Sequence, residues 1–256
     1  MDKTFDIRNV SKVYEGGTTA LQDIDLSIGE KEFVCFLGPS GCGKSTLLEL
    51  LSGLEKPTSG DISFKGEVLT SPSKRIGFVF QDASLYPWRT TLKNIELGLE
   101  IKGVSKKKRK EISEEYLSLV GLDGFGNKYP HQLSGGMRQR AGIARAFANQ
   151  PDVLLMDEPF GALDHLTRIK LQKDLLDIWT KEKKTIVFVT HDIGEAVYLA
   201  DRIILFTARP GSIKEIITLK HDRPRNPQDA ELIQKQNEIY AKLQDFEENQ
   251  GVEYII

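Results

Sequence analysis

Gly38-Pro39-Ser40-Gly41-Cys42-Gly43-Lys44-Ser45-Thr46 fits the pattern G-x-x-x-x-G-K-S/T, and its reading decides the fold. The run before it, Phe33-Val34-Cys35-Phe36-Leu37, is continuously apolar and reads as a strand buried on both faces. After it, from Lys44 to Gly53, Leu47, Leu48, Leu50 and Leu51 form a broad helical face that Gly53 ends. Strand, glycine-rich loop and helix in that order make an anion cradle. The glycines let the backbone curl so that successive N–H groups face one centre, and the helix N-terminus adds its positive end. Lys44 is placed to bridge the β- and γ-phosphates of a nucleotide, and the Ser45 hydroxyl to ligate Mg²⁺.

Working outward, the 256 residues carry 35 Lys plus Arg against 37 Asp plus Glu, a net charge of −2, and 39% apolar residues. That length suits one large α/β domain, or a core with a smaller subdomain, and the apolar content excludes a disordered chain. No run reaches the 18 or so apolar residues of a spanning helix, and Met1-Asp2-Lys3 opens no export signal. A soluble, cytosolic protein outside the membrane and not built for nucleic acid is expected. Cys35 and Cys42 match no zinc spacing, and a disulfide is not expected of a cytosolic chain.

The rest of the chain alternates accordingly. Phe5 and Ile7 share one strand face, Ile24, Leu26 and Ile28 the next, and Ile62 with Phe64, then Ile76, Phe78 and Phe80, give two short strands. From about Asp82 to Gln150 strand signals fade and helical spacings such as Ile112-Tyr116-Leu119-Val120 appear, which reads as a helical insertion. Its run Lys106 to Lys110 is either a solvated helix face or a nucleic-acid patch, and the isolated run and negative net charge favour the first. Strands return at Val153 to Met156, Thr185 to Thr190 and Ile203 to Phe206. A helix carrying Leu166, Ile169, Leu175, Leu176 and Trp179 is expected after the first of these, and another between the last two. His221 to Gln228, with Pro224 and Pro227, reads as a linker, and Leu232, Ile233, Ile239, Tyr240, Leu243 and Phe246 mark a closing amphipathic helix.

Two further stretches carry chemistry. Val153-Leu154-Leu155-Met156-Asp157-Glu158 is a buried strand ending in two carboxylates, one to serve Mg²⁺ and one to polarise an attacking water. With the phosphate loop upstream, this pattern reads as a nucleotide hydrolase. Leu133-Ser134-Gly135-Gly136-Met137 precedes a helix, and Ser134 is either a plain N-cap or part of a second anion site with the amides of Gly135 and Gly136. On the second reading, two phosphate devices for one nucleotide would imply two chains facing head to tail, each completing the other's site.

On these motifs the sequence resembles the nucleotide-binding subunits of ATP-binding cassette (ABC) transporters over nearly its whole length. The resemblance implies a P-loop NTPase (RecA-like) α/β core with an N-terminal antiparallel β subdomain and an inserted α-helical subdomain. It implies a single domain over 1–256, with the core in 1–81 and 151–225, the helical part in 82–150 and a C-terminal extension in 226–256. LSGGM resembles the family's signature, with Met137 where Gln is commonest. The resemblance further implies ATP and Mg²⁺ as cofactors. Gln81 would touch Mg²⁺ and sense the membrane partner, His191 would contact the γ-phosphate, Tyr14 would stack on adenine, and Asp164 would lie in the D-loop. Glu158, His191 and Lys44 are the expected catalytic residues, and Ser45, Gln81 and Asp157 the metal ligands.

Three longer segments narrow the resemblance. Tyr86 to Leu92, Glu158 to Asp164 and Asp201 to Gly211, with Arg223-Pro224-Arg225-Asn226-Pro227, resemble the ATPases of nitrate/sulfonate/taurine-type importers. The implied partners are a second copy in a head-to-tail homodimer, integral-membrane permease subunits and, indirectly, an extracellular or periplasmic solute-binding protein. The implied location is peripheral, on the cytoplasmic face of the membrane. An ABC-type ATPase of DNA repair or translation is the alternative, but no long heptad insertion and no second phosphate loop is present.

Overall fold

The alternating apolar residues of the N-terminus form a long antiparallel hairpin in the computed structural model, which describes residues 2–161 and 163–250, with side chains of the last helix through 244. In chain order come β1 (Lys3–Val13), β2 (Thr19–Gly29), β3 (Phe33–Leu37), α1 (Lys44–Ser52), β4 (Ser59–Phe64), β5 (Glu67–Val68) and β6 (Ile76–Val79). Then follow α2 (Thr91–Ile101), α3 (Lys106–Leu119), α4 (Gly135–Ala148), β7 (Val153–Asp157) and α5 (His165–Glu182). The chain closes with β8 (Thr185–Thr190), α6 (Ile193–Leu199), β9 (Arg202–Phe206), β10 (Ile213–Thr218) and α7 (Ala230–Gln250). These elements fall into two compact units, one of the chain up to Ser73 and again from Thr185 onward, the other of Lys74–Lys184.

In the first unit β1 is the centre of an antiparallel sheet ordered β2-β1-β4-β5. Phe5 stands opposite Phe64 in the β1–β4 register, their rings 5.3 Å apart, both buried. Parallel β8 and β9 pair with both edges of β3, and all five of its residues are buried, as its continuous apolar run implies. Leu37 pairs with Thr190 on one side and Leu205 on the other, so the three strands end together. Antiparallel β10 follows β9. α1 ends where expected, at Gly53 in the left-handed region (φ 76°).

The second unit pairs β6 and β7 in parallel, Val79 opposite Met156, and stacks α2, α3 and α4 on one another. Thr90, Ser105 and Ser134 cap these helices through their hydroxyls, and the Asp164 carboxylate caps α5. The basic run opens α3, where Lys108 and Lys110 pair with Glu111 and Glu114 one turn on, and Arg109 reaches buried Glu96 at 3.1 Å.

Some expectations are refined. The helix carrying Leu166 to Trp179 is α5, whose Leu175, Leu176 and Trp179 are buried while Leu166 and Ile169 on its first turns are 78% and 50% exposed. On α7, Leu232 and Ile239 are buried but Ile233 and Tyr240 face solvent, and the Phe246 side chain lies outside the described residues. The proline-bearing linker holds a buried arginine, Arg225, only 5% exposed. Among the described residues no helix is long and apolar enough to cross a membrane.

Candidate functional site

The phosphate loop leaves β3 after Leu37 and enters α1 at Lys44. Gly41 (φ 73°) and Gly43 (φ 99°) take the left-handed conformations that the curl requires, and Gly43 is also the N-cap of α1. A Cβ on Gly43 would stand 2.7 Å from the Ala20 carbonyl oxygen, so glycine is needed for space as well. Lys44 is buried and donates to the carbonyls of Gly38 (2.7 Å) and Pro39 (2.6 Å), with the Cys42 sulfur at 3.6 Å. The ammonium thus sits inside the loop, held by acceptors that an incoming phosphate oxygen can supplement. Burial pushes the Cys42 thiol up from its ordinary value. Ser40 and Ser45 are exposed, and Thr46 is half-buried.

Tyr14 follows β1 and reaches the same helix: its hydroxyl lies 3.2 Å from Thr46 Oγ1. The Lys12 ammonium stands over its ring at 5.1 Å from the centroid. His191 emerges from β8 one residue past Thr190, and Gly38 from β3 one residue past Leu37. Adjacent parallel strands therefore deliver the histidine and the loop side by side. Its surroundings are fixed by α6: the Thr190 hydroxyl donates to the buried Glu195 carboxylate at 2.6 Å, and Asp192 caps the helix through Glu195 N–H at 3.0 Å.

A parallel arrangement recurs in the second unit. Past Val79 and Met156, paired in register, the chain delivers Gln81 from β6 and Asp157 with Glu158 from β7. Gln81 Nε2 donates to Glu158 Oε2 at 3.4 Å. Glu158 has φ 42°, an uncommon backbone for a non-glycine residue, and such strain clusters at functional positions. Ser134 caps α4 by accepting from Met137 N–H at 3.2 Å, with Gly135 and Gly136 in the first turn. Asp164 accepts from Thr167 N–H at 3.0 Å, and hydrogen bonds from Thr167 hold its carboxyl below the ordinary value. Ala162 of the same loop lies outside the described residues.

Sequence reasoning missed how α4 is tied to the residues on both sides of Gln81. Buried Gln139 donates to the Phe80 carbonyl at 3.2 Å, Gly142 faces Ala83, and Arg145 donates to the Ala83 and Ser84 carbonyls at 2.8 and 2.9 Å. Their spacing of three residues was the available signal, since it puts all three on one helix face. Buried Asn94 was missed too. It bonds Tyr86 N–H and three carbonyls of the turn 86–90, which presents Trp88, 71% exposed, against Tyr86.

Comparison with known proteins agrees with this geometry. Residues 21–161 match the family model described as ABC transporter. An uncharacterized ABC transporter ATP-binding protein of Methanocaldococcus jannaschii is 49% identical over 242 residues, covering 93% of this chain and 91% of that protein. The aliphatic sulfonates import ATP-binding protein SsuB of Bacillus thuringiensis subsp. konkukian is 44% identical, covering 95% and 96%. The nitrate import ATP-binding protein NrtD of Synechocystis sp. is 45% identical, covering 86% of each chain. A dimeric ATP-binding cassette in a post-hydrolysis state, bound to ADP and Pi, superposes with a TM-score of 0.78 at 38% identity, over 85% of this chain and all of that one. With its P-loop NTPase α/β fold, antiparallel β part and helical insertion, the chain belongs to the ABC transporter family, among its ATP-binding subunits.

Proposed function

We propose that this chain hydrolyses ATP to drive uptake of a small solute through a separate membrane permease. The observation that carries the reading is the pair at the ends of β6 and β7, where Glu158 meets the Gln81 amide. A carboxylate there orients and polarises water, while Lys44 and the loop amides neutralise charge on the transferring phosphoryl group. His191, beside the loop at the end of β8, contacts the γ-phosphate and couples its loss to reopening. Tyr14 receives adenine on its ring. Ser134, Gly135 and Gly136 complete the site of a second copy, with Asp164 at the same interface. Ser45, Gln81 and Asp157 offer only oxygen donors, the chemistry Mg²⁺ prefers. When bound, Mg²⁺ adds positive charge beside the β- and γ-phosphates.

We read residues 1–81 and 151–225 as the nucleotide-binding core, 82–150 as the signature subdomain and 226–256 as an extension. The turn holding Tyr86 and Trp88, next in sequence to Gln81, docks the permease and places the chain at the cytoplasmic face. The names of the sulfonate and nitrate relatives favour an oxyanion as cargo. Co-expression with candidate permeases tests this: a stable complex with ATP-dependent sulfonate or nitrate uptake in vesicles is expected. Co-purification with DNA or ribosomes instead would overturn the transport assignment. Lys44→Ala is expected to lose nucleotide affinity, and unchanged ATP binding by calorimetry would remove 38–46 from the phosphate role.

A further inference from the structure

The turn between β9 and β10 rests on the outside of the phosphate loop. Arg209 Nε and Nη2 donate to the Gly41 carbonyl at 3.3 and 3.2 Å. Two residues on, Gly211 lies so close that a Cβ there would meet the Cys42 carbonyl oxygen at 1.9 Å. Its φ is not in the left-handed region, so close approach alone demands the glycine. The turn is itself stiff. Thr207 N–H donates to the Ser212 carbonyl at 2.9 Å, Ser212 N–H to Thr207 Oγ1 at 2.9 Å, and Thr207 Oγ1 also bonds the Pro210 carbonyl at 3.0 Å. Gly211 N–H donates to the Ala20 carbonyl at 3.0 Å, and Gln22 N–H to the Gly211 carbonyl at 2.9 Å, which anchors the turn to β2.

A trans peptide is planar, with its carbonyl and N–H pointing opposite ways. Gly41 C=O shares a plane with Cys42 N–H, and Cys42 C=O with Gly43 N–H. Fixing both carbonyls from outside therefore aims two successive amides inward. Cys42 N–H indeed faces the Pro39 carbonyl at 3.4 Å, an oxygen that also accepts from Lys44 Nζ. We propose that Arg209 is a positioning residue for nucleotide binding, which with Gly211 fixes the two peptide planes of the phosphate loop from behind.

The proposal rests on the phosphate-loop reading, so its test includes Lys44→Ala as a control. Arg209→Ala and Arg209→Lys are measured by calorimetry with ATP and with ADP, by steady-state hydrolysis, and by nucleotide-free melting. Because the bond is charge-assisted but exposed, Arg209→Ala is expected to weaken ATP and ADP alike by roughly 3- to 10-fold. KM should rise in step while kcat stays within about twofold, and lysine, with a single donor point, should restore part of the affinity. Nucleotide-free melting should not move. Wild-type affinity in Arg209→Ala, where Lys44→Ala has lost binding, would overturn the proposal. Weakening of ATP with ADP untouched would also overturn it, since Arg209 would then act on the γ-phosphate itself. A fall in nucleotide-free melting that matches the loss would assign Arg209 a purely structural part. If Lys44→Ala binds ATP normally, the phosphate-loop reading fails and this inference with it.

Discussion

Two pairs of parallel strands do the same architectural work in different ways. β3 with β8 delivers the phosphate loop and His191, and β6 with β7 delivers Gln81 and the Asp157-Glu158 pair. At the first, the chemistry is contiguous: nine successive residues supply the curl, the amides and the ammonium. At the second, it is assembled from distant segments, with Gln81 meeting Glu158 across the strands and α4 holding the residues on either side of Gln81 through Gln139 and Arg145. The difference follows from what each must do. Cradling phosphate needs a local backbone shape, whereas placing a carboxylate and an amide relative to each other needs two strands in register. The first pair should therefore govern affinity and the second turnover.

The sharpest way to break that division is Glu158→Gln. The swap keeps shape and an acceptor oxygen but removes the carboxylate proposed to polarise water. Turnover is expected to fall on the order of 100-fold or more, with ATP affinity within about twofold of the starting chain. An ATP-dependent shift from monomer to trapped dimer should accompany it, visible by gel filtration. Affinity and turnover falling together would mean that the two strand pairs act as one site.

Arg225 tests the support behind the first pair and has a smaller expected effect. Its guanidinium donates to the carbonyls of Val197 (2.8 Å), Tyr198 (3.3 Å) and Ala200 (2.7 Å) at the C-terminus of α6, and to His221. Arg223 does the same for Leu199 and pairs with Asp201 at 2.7 Å. The linker thereby satisfies carbonyls that the helix leaves without partners. Burial lowers the Arg225 pKa to about 10, still far above neutrality, so the group is charged under ordinary conditions. Arg225→Ala is expected to destabilise by about 2–4 kcal/mol, a melting decrease of roughly 5–12 °C. Differential scanning fluorimetry checks this, and an unchanged midpoint would make the linker a passive strap.

These examples also mark what could be read without coordinates. The buried strands were legible because β3, β7 and β8 are apolar at nearly every position, and the loop because glycine and lysine are needed at fixed spacing. The Ser134 cap was legible for the same local reason, whereas the Thr90 and Ser105 caps were not singled out. Arg225 was not: between two prolines an arginine reads as solvated, and only the unsatisfied end of α6 gives it a place. β10, Ile213–Thr218, escaped notice because a half-exposed strand with Lys214 and Glu215 at its start carries a weak alternation. Leu166 and Ile169 have helical spacing with the buried leucines of α5, and periodicity alone does not say that the first turns project outward.

Asp164 gives the smallest effect and compares the two regions by pH. Hydrogen bonds from Thr167 favour its ionised form and hold its carboxyl below the ordinary 3.8. A depressed folded value means the cap stabilises fully above the unfolded value and fades as pH falls through the folded one. Asp164→Asn keeps an acceptor for Thr167 N–H but no titrating charge. The two proteins should therefore differ slightly in melting at neutral pH and converge below the carboxylate range. The phosphate loop has no carboxylate of its own, so nucleotide-free melting of Lys44→Ala should keep a constant offset over the same acid window. Convergence in that variant as well would mean that acid loosens both regions together, and the separation drawn between them would not hold for stability.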